Sequence, residues 1–189
     1  DQPRSRGLGD VYKRQPMFST PRYALEASRH PASRRLVVAQ QASDAAALLD
    51  DPAPTLLLCL GEALPGSVEQ ESLPSCEALY LRLQMLLEQA QAGTRLYVCG
   101  DESFLWHIHS LARQAGLLGD EIELFKQGTR RRLYCVHCGH FQDIGSEGEC
   151  TCGQCRVKLF VREHFSQRLG AYMGVCIDPD SPFAPEVSA

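Results

Sequence analysis

The sequence carries little net charge and no long apolar run, and both absences exclude classes of function. Its 189 residues hold 19 Lys and Arg against 23 Asp and Glu, a net charge of −4. This balance gives no electrostatic basis for binding nucleic acid. The longest dense apolar run, "TLLLCLG", is too short to cross a bilayer, and no apolar leader with a small-residue cleavage site is visible. We therefore predict a cytoplasmic protein with neither a nucleic-acid nor a membrane partner.

The sequence also lacks the residue patterns of an independent redox enzyme. It contains no flavin-binding arginine–serine pattern, no [2Fe–2S] cysteine spacing and no paired histidine–carboxylate set for activating O₂. His107 and His109 lie two residues apart on a predicted helix, so their side chains face different directions and cannot share a metal. We therefore predict no catalytic residues in this chain.

Short apolar strands alternate with helices between residues 35 and 125. The predicted strands cover residues 35–40, 55–61, 94–100 and 120–125. The predicted helices cover residues 44–51, 76–92 and 102–116, and the polar stretch 62–75 is predicted to be a loop. Ser75 is the expected N-cap of the second helix, whose apolar stripe consists of Leu79, Leu83, Leu86 and Leu87. The alternation predicts an α/β fold, with a small parallel-sheet layer and helices.

The amino-acid composition changes at Arg130, and this change gives the predicted domain boundaries. Residues 17–129 are predicted to form the α/β domain. Residues 130–178, basic and then cysteine-rich, are predicted to form a C-terminal zinc-ribbon or rubredoxin-like domain. Residues 1–16 lack apolar periodicity and resemble translated adapter sequence, so we predict a non-native or disordered leader. Residues 179–189 are predicted to be a flexible tail.

Five of the nine cysteines lie in "CVHCGHFQDIGSEGECTCGQC", residues 135–155. The pairs Cys135–Cys138 and Cys152–Cys155 have the spacing of two turns that each supply two thiolates to one tetrahedral Zn²⁺. A structural metal would also supply the stability that this polar segment cannot gain from apolar burial. We therefore predict one zinc per chain, held by these four cysteines.

Several alternatives for this cluster remain open from sequence. Cys150 could replace Cys152, although its spacing from Cys155 is less usual, and His137 or His140 could replace a thiol. Iron fits the same tetrahedron, but "CGQCRV" lacks the glycine that an iron-binding rubredoxin usually has after its last cysteine, so zinc is favoured. Disulfides are disfavoured because they rarely persist in the cytoplasm.

The segment after the second cysteine pair contains two apolar patterns. "RVKLFVRE" alternates apolar and polar residues, which predicts a half-exposed strand. "EHFSQRLGAYMG" then places Phe165, Leu169, Tyr172 and Met173 at helical spacing. This stripe is expected to pack on the α/β layer or on another subunit. We predict that Phe165, Arg168 and Tyr172 contribute to subunit docking, since aromatic residues and arginine are enriched at interface centres.

The stretch "LFVREHFSQRLGAYMGVCID" resembles the C-terminal signature of a family of dimethylamine monooxygenase subunits, whose members pair it with a CxxC…CxxC motif. The resemblance covers residues 134–178. It implies a bacterial system that oxidises dimethylamine to methylamine and formaldehyde with O₂ and NADPH, with redox cofactors spread over several subunits. This chain is then expected to be an accessory subunit that binds other monooxygenase subunits and has no activity alone.

A second stretch, residues 95–117, resembles the strand–turn–helix of the nicotinamide-binding lobe of ferredoxin-reductase-type flavoproteins. Such a lobe opens with a glycine-rich turn at the cofactor pyrophosphate, whereas "VVAQQASDAA" has no glycine. Asp101 stands where the reductase pattern has proline, and its charge would repel a phosphate. The lobe is therefore expected to be degenerate, with NADPH binding weak or absent. The competing interpretation is an NAD(P)H-linked electron-transfer component with redox-active iron on the four cysteines.

Overall fold

Five parallel strands form the first sheet of the computed structural model, which describes residues 20–28, 30–66 and 68–183. The strands are β1 (Arg34–Ala39), β2 (Thr55–Leu60), β3 (Glu69–Leu73), β4 (Thr94–Gly100) and β5 (Ile122–Lys126). Their order is β3-β2-β1-β4-β5, and all neighbouring pairs are parallel. The central strands are apolar on both sides because both faces of the sheet are covered. The predicted α/β fold is confirmed.

Helices α1 (Cys76–Glu88) and α2 (Glu102–Gln114) cover one face of this sheet. Ser75 caps α1 as predicted, its hydroxyl accepting a hydrogen bond from the backbone N–H of Ala78 at 3.2 Å. The predicted leucine stripe of α1 is buried. A 3-10 helix (Ala42–Leu48) covers the opposite face, where its apolar residues pack against β1 and β2.

Two secondary-structure predictions for this sheet are wrong. Part of the predicted loop 62–75 forms the edge strand β3, where Glu71 accepts two hydrogen bonds from the Arg82 guanidinium at 2.7 and 2.6 Å. This tie to α1 and the pairing with β2 stabilise a strand that the polar sequence does not reveal. The predicted helix 44–51 is a seven-residue 3-10 helix. The segment is too short before Pro52 to recover the cost of nucleating an α-helix.

The second sheet is a curled mixed sheet that contains the cysteine-rich segment. Its strands are β6 (Arg131–Cys135), β7 (Phe141–Ile144), β8 (Glu149–Thr151), β9 (Lys158–Ser166) and β10 (Ala171–Cys176). The order is β7-β6-β10-β9-β8, with β6 and β10 parallel and the other pairs antiparallel. Its buried side consists of Leu133, Val157, Leu159 and Val161 together with cysteine side chains. The prediction that a C-terminal four-cysteine module follows the α/β layer is therefore confirmed.

The helical spacing predicted between Phe165 and Met173 is wrong, because this segment is a β-hairpin. Strands β9 and β10 pair through Ser166 with Ala171 and through Phe165 with Tyr172. The apolar positions that mimic a helical stripe lie on β9, in the turn that follows it and on β10. The predicted alternation along residues 157–162 is confirmed, since buried and exposed residues alternate there.

The two sheets meet at the hairpin and helix α2. Phe165 is fully buried in the core on the helix side of the first sheet. The centroid of its ring lies 4.7 Å from that of Trp106 on α2 and 5.0 Å from that of Tyr172. The Glu102 carboxylate on α2 accepts a hydrogen bond from the Tyr172 hydroxyl at 3.4 Å. The sheets thus share one packed core region. The division into domains at residues 129 and 130 stays a prediction.

The predicted leader, residues 1–16, and the last six residues of the predicted tail lie outside the described residues. No helix within the described part of the chain is long and apolar enough to span a bilayer.

Candidate metal centre

Two turns bring the four predicted cysteines together at one end of the mixed sheet. Cys135 ends β6 and Cys138 lies in the turn that follows, while Cys152 and Cys155 lie in the turn between β8 and β9. The four Sγ atoms all lie within 4.8 Å of one another. The Sγ atoms of Cys135 and Cys155 are 3.8 Å apart, and those of Cys138 and Cys152 are 3.7 Å apart. Metal–sulfur bonds of about 2.3 Å in a tetrahedron place sulfurs about 3.8 Å apart, so the cluster is suitable for a metal ion.

The two turns have the same backbone geometry. The N–H of Gly139 donates to the carbonyl of Cys135 at 2.8 Å, and the N–H of Arg156 donates to the carbonyl of Cys152 at 3.0 Å. Gly139 has φ +76°, and Arg156 has φ +63°, the one non-glycine residue with positive φ in the described residues. Glycine adopts this left-handed conformation at no steric cost, whereas a residue with a Cβ is strained there. The second turn therefore keeps its shape despite the missing glycine.

The electrostatics of the cluster differ between its thiols. Burial raises the pKa of the Cys135 thiol to about 12. Burial also opposes ionisation of Cys152, but the N–H groups of Cys155 and Gln154 outweigh it and lower the pKa of Cys152 to about 7. Four thiolates at these distances repel one another strongly, and a bound cation removes that repulsion. The donor set thus fits a divalent metal ion.

The alternative ligands lie outside this tetrahedron. Cys150 on β8 is opposite Leu159 of β9, and its Sγ accepts a hydrogen bond from the Gln142 amide at 3.6 Å. His137 is in the first turn, but its ring packs edge-to-face against Phe183 with centroids 5.8 Å apart. Neither of these residues, nor His140, belongs to the four-sulfur group. The assignment of the four cysteines as metal ligands stays a prediction.

Gln142 is a residue near the centre that sequence reasoning missed. From β7, its side-chain oxygen accepts the N–H of Gly153 at 2.8 Å, and its amide nitrogen donates to the carbonyl of Thr151 at 3.1 Å. These two bonds hold the backbone on both sides of Cys152. No spacing or motif in the sequence signals this contact, because Gln142 and Gly153 lie on different elements.

The sequence resemblance to a nicotinamide lobe predicts a ligand crevice at the carboxyl ends of β1 and β4. A cavity of about 530 Å³ lies there, lined by residues that include Gln40, Asp101 and Arg130. The Asp101 carboxylate accepts the N–H of Phe104 at 3.0 Å, and the Gln40 side-chain oxygen accepts the N–H of Asp101 at 2.6 Å. Two backbone donors at this helix start are therefore bonded to the chain's own side chains rather than available to a phosphate.

Taken together, the sheet order and the four-sulfur cluster define an α/β protein that carries a ribbon-like four-cysteine module. The chain belongs to the DmmA-like family of dimethylamine monooxygenase subunits. Residues 60–122 match the N-terminal domain of "Dimethylamine monooxygenase subunit DmmA-like", and residues 132–175 match its C-terminal domain. The family predicted from the sequence is confirmed.

One curated relative and one solved structure give the extent of the similarity. The chain is 44% identical over 168 residues to the heme-dependent oxidative N-demethylase delta subunit of Ectopseudomonas mendocina (strain ymp). That match covers 88% of this chain and 92% of the relative. Phthalate dioxygenase reductase matches at 10% identity with a TM-score of 0.39, over 68% of this chain and 48% of the reductase. The chain thus spans about half the length of that solved structure.

Proposed function

We propose that this chain is an accessory subunit of a heme-dependent oxidative N-demethylase of the dimethylamine monooxygenase type, with no activity of its own. The observation that carries the proposal is the 44% identity to a delta subunit over 92% of its length. The family matches cover residues of both sheets, which supports a role for the whole chain as a subunit of an assembly. The complete reaction consumes dimethylamine, O₂, NADPH and a proton, and yields methylamine, formaldehyde, water and NADP⁺. Heme and the other redox cofactors are assigned to partner subunits.

Within this role, Cys135, Cys138, Cys152 and Cys155 hold one zinc ion as a structural centre. Zinc has no redox chemistry, and a closed set of four sulfur ligands leaves no position open for a substrate. The cysteines join the turn after β6 to the turn after β8, two elements at opposite parts of the mixed sheet. The metal therefore fixes the shape of a module that has a small apolar core.

Reconstitution tests the proposed role. The chain, carrying an affinity tag, replaces the delta subunit when the remaining subunits of the Ectopseudomonas mendocina demethylase are co-expressed. We expect co-purification of the subunits and dimethylamine-dependent NADPH oxidation, while the chain alone gives none. Elution of the chain free of the other subunits would contradict the proposal, as would demethylation by the chain alone.

Elemental analysis and absorption spectra separate this role from an electron-transfer function. Protein expressed in medium with balanced zinc and iron is expected to contain one zinc per chain and to be colourless. Visible charge-transfer absorption that bleaches on reduction would instead identify redox-active iron in the same tetrahedron. That result would favour an electron-transfer component.

A further inference from the structure

Helix α1 carries apolar side chains on two opposite sides. Its inner stripe is buried in the core beside the first sheet and consists of Leu79, Leu83, Leu86 and Leu87. On the other side, Leu81 and Met85 lie one helical turn apart and are 65% and 53% exposed. A surface helix of a soluble domain has a polar outer side, whereas a helix that is apolar all round is buried all round. The outer side of α1 therefore has the composition of a surface that another molecule covers.

Acidic side chains surround this apolar pair. Exposed carboxylates lie near both ends of α1 and on the neighbouring edge strand β3. The single cation within α1, Arg82, donates two hydrogen bonds to Glu71 of β3 at 2.7 and 2.6 Å, so the charges of these two residues cancel. The remaining surface is net negative. We call it the α1 outer face, and it consists of Glu69, Glu77, Leu81, Met85 and Glu88.

Cations beyond the ends of α1 do not reverse the sign of this charge. Arg130 forms ion pairs with two carboxylates, those of Asp101 at 3.6 Å and of Asp143. Arg132 lies toward the mixed sheet on β6, and Arg34 lies at the start of β1. Even with these last two counted, carboxylates remain in excess around the α1 outer face. The same excess holds from residue 20 to residue 129, where fourteen Asp and Glu stand against eight Lys and Arg.

The sign of the charge selects among the molecules that could cover the α1 outer face. In a two-fold dimer of this chain through α1, the carboxylates of one helix would face those of the other, and such like-charge contacts are unfavourable. Nucleic acids and anionic membrane surfaces are repelled by the same carboxylates. A protein surface that combines an apolar pocket with Lys and Arg side chains complements both the apolar pair and its acidic rim.

We propose that the α1 outer face docks onto a basic surface of another demethylase subunit. Leu81 and Met85 form the apolar centre of the contact, and the carboxylates around them face Lys and Arg side chains of that subunit. The proposal rests on the function proposed above. It moves the docking surface away from Phe165 and Tyr172, because these two side chains pack the mixed sheet against helix α2.

The central test measures binding of Leu81→Lys to the co-expressed remaining subunits of the Ectopseudomonas mendocina demethylase. We expect the dissociation constant to rise roughly 30-fold, because the variant removes an apolar anchor and adds a like charge. Metal content and melting temperature should stay unchanged, since lysine has a helix propensity close to that of leucine and Glu77 lies four residues before it. Leu118→Lys is the matched control, because Leu118 is 57% exposed at the start of the 3-10 helix Gly119–Glu121. It should bind as the wild type does.

The charge arm of the test compares Glu88→Lys with Glu163→Lys, an exposed position on β9. A lysine in the last turn of α1 is compatible with the helix dipole, so Glu88→Lys should fold normally. We expect it to slow association about tenfold at low salt, with the difference shrinking as salt is added, while Glu163→Lys associates at the wild-type rate. Faster association of Glu88→Lys would identify an acidic partner surface and overturn the proposal.

The outcomes distinguish the docking surface from the proposed function. Wild-type affinity of Leu81→Lys would overturn the docking surface and leave the proposed function intact. Failure of the wild-type chain to bind these subunits would overturn the proposed function itself. Light scattering on the chain alone tests the remaining occupant: a homodimer that Leu81→Lys dissociates would assign the α1 outer face to a second copy of the chain and overturn the proposal.

Discussion

At the scale of single residues, His109 links pH to stability. Its ring lies 4.8 Å from the Trp106 ring, and burial lowers the pKa of His109, with the Arg113 cation adding to the effect. The unfolded chain therefore takes up a proton at this imidazole at higher pH than the folded chain does. Its contribution to stability is present above about pH 6.5 and is lost as pH falls through the lower folded-state pKa.

We expect His109→Gln to flatten the pH dependence of stability. The free energy of unfolding, measured in urea at about pH 7.5 and 5.5, should fall less in the variant than in the wild type. Loss of metal at low pH affects both proteins and cancels in the comparison. His164→Gln, at an exposed position on β9, is the control and should keep the wild-type slope. An unchanged slope for His109→Gln would show that its imidazole contributes nothing.

Gln142 is the second residue whose role can be measured alone. Because it bonds to Thr151 and Gly153 on either side of Cys152, Gln142→Ala should weaken metal binding by about 10- to 100-fold, as loss of an outer partner of a metal ligand does. Competition with a chromogenic zinc chelator gives the dissociation constant. Gln154→Ala, in the same turn but exposed, should bind metal as the wild type does. Equal affinities for the two variants would refute the positioning role.

At the scale of elements, we expect the ordered structure of each CxxC turn to depend on the other turn, because both bind the same metal. Cys152→Ser should abolish metal binding and leave residues 130–175 sensitive to protease, because the turn after β8 then loses its tie to the turn after β6. Cys150→Ser should keep the metal, since the Cys150 thiol bonds to Gln142 outside the tetrahedron. Metal content with limited proteolysis checks both. Loss of metal in Cys150→Ser alone would reverse the ligand assignment.

At the scale of the whole molecule, Phe165 couples the two sheets. Phe165→Ala should lower the free energy of unfolding by about 3 to 5 kcal/mol, the range for removing a fully buried phenylalanine. Phe160→Ala, on the same strand but half exposed, should change it by no more than about 0.5 kcal/mol. Urea denaturation followed by circular dichroism compares them. A small effect of Phe165→Ala would mean that the sheets fold independently.

The cavity at the carboxyl ends of β1 and β4 is also a property of the whole molecule, because its lining comes from both strands and from the segment between the two sheets. We expect the isolated chain to bind NADPH weakly or not at all, since the N–H groups of Asp101 and Phe104 are already bonded to the side chains of Gln40 and Asp101 and the Asp101 charge repels phosphate. Calorimetric titration measures this. A micromolar dissociation constant, about −8 kcal/mol, would favour the electron-transfer function. Asp101→Asn, which removes the charge, is the informative variant.

The sequence by itself predicted the parts of this protein that depend on local patterns. Apolar strands, the Ser75 cap and the leucine stripe of α1 follow from periodicity and capping over a few residues. The spacing of the cysteines likewise predicted which four side chains come together, because a CxxC turn fixes two sulfurs at once. Family membership followed from the signature after the second pair, and the family match confirms it.

Only the tertiary structure decided features that depend on contacts between distant residues. Strand β3 exists because β2 pairs with it and Arg82 binds Glu71, and neither contact is visible in a polar local sequence. The hairpin of β9 and β10 imitates a helical stripe, since pairing across a turn can reproduce a spacing of three or four residues. For the same reason Phe165 is buried and Phe160 exposed: strand alternation sets opposite faces, and only packing against α2 selects which face becomes core.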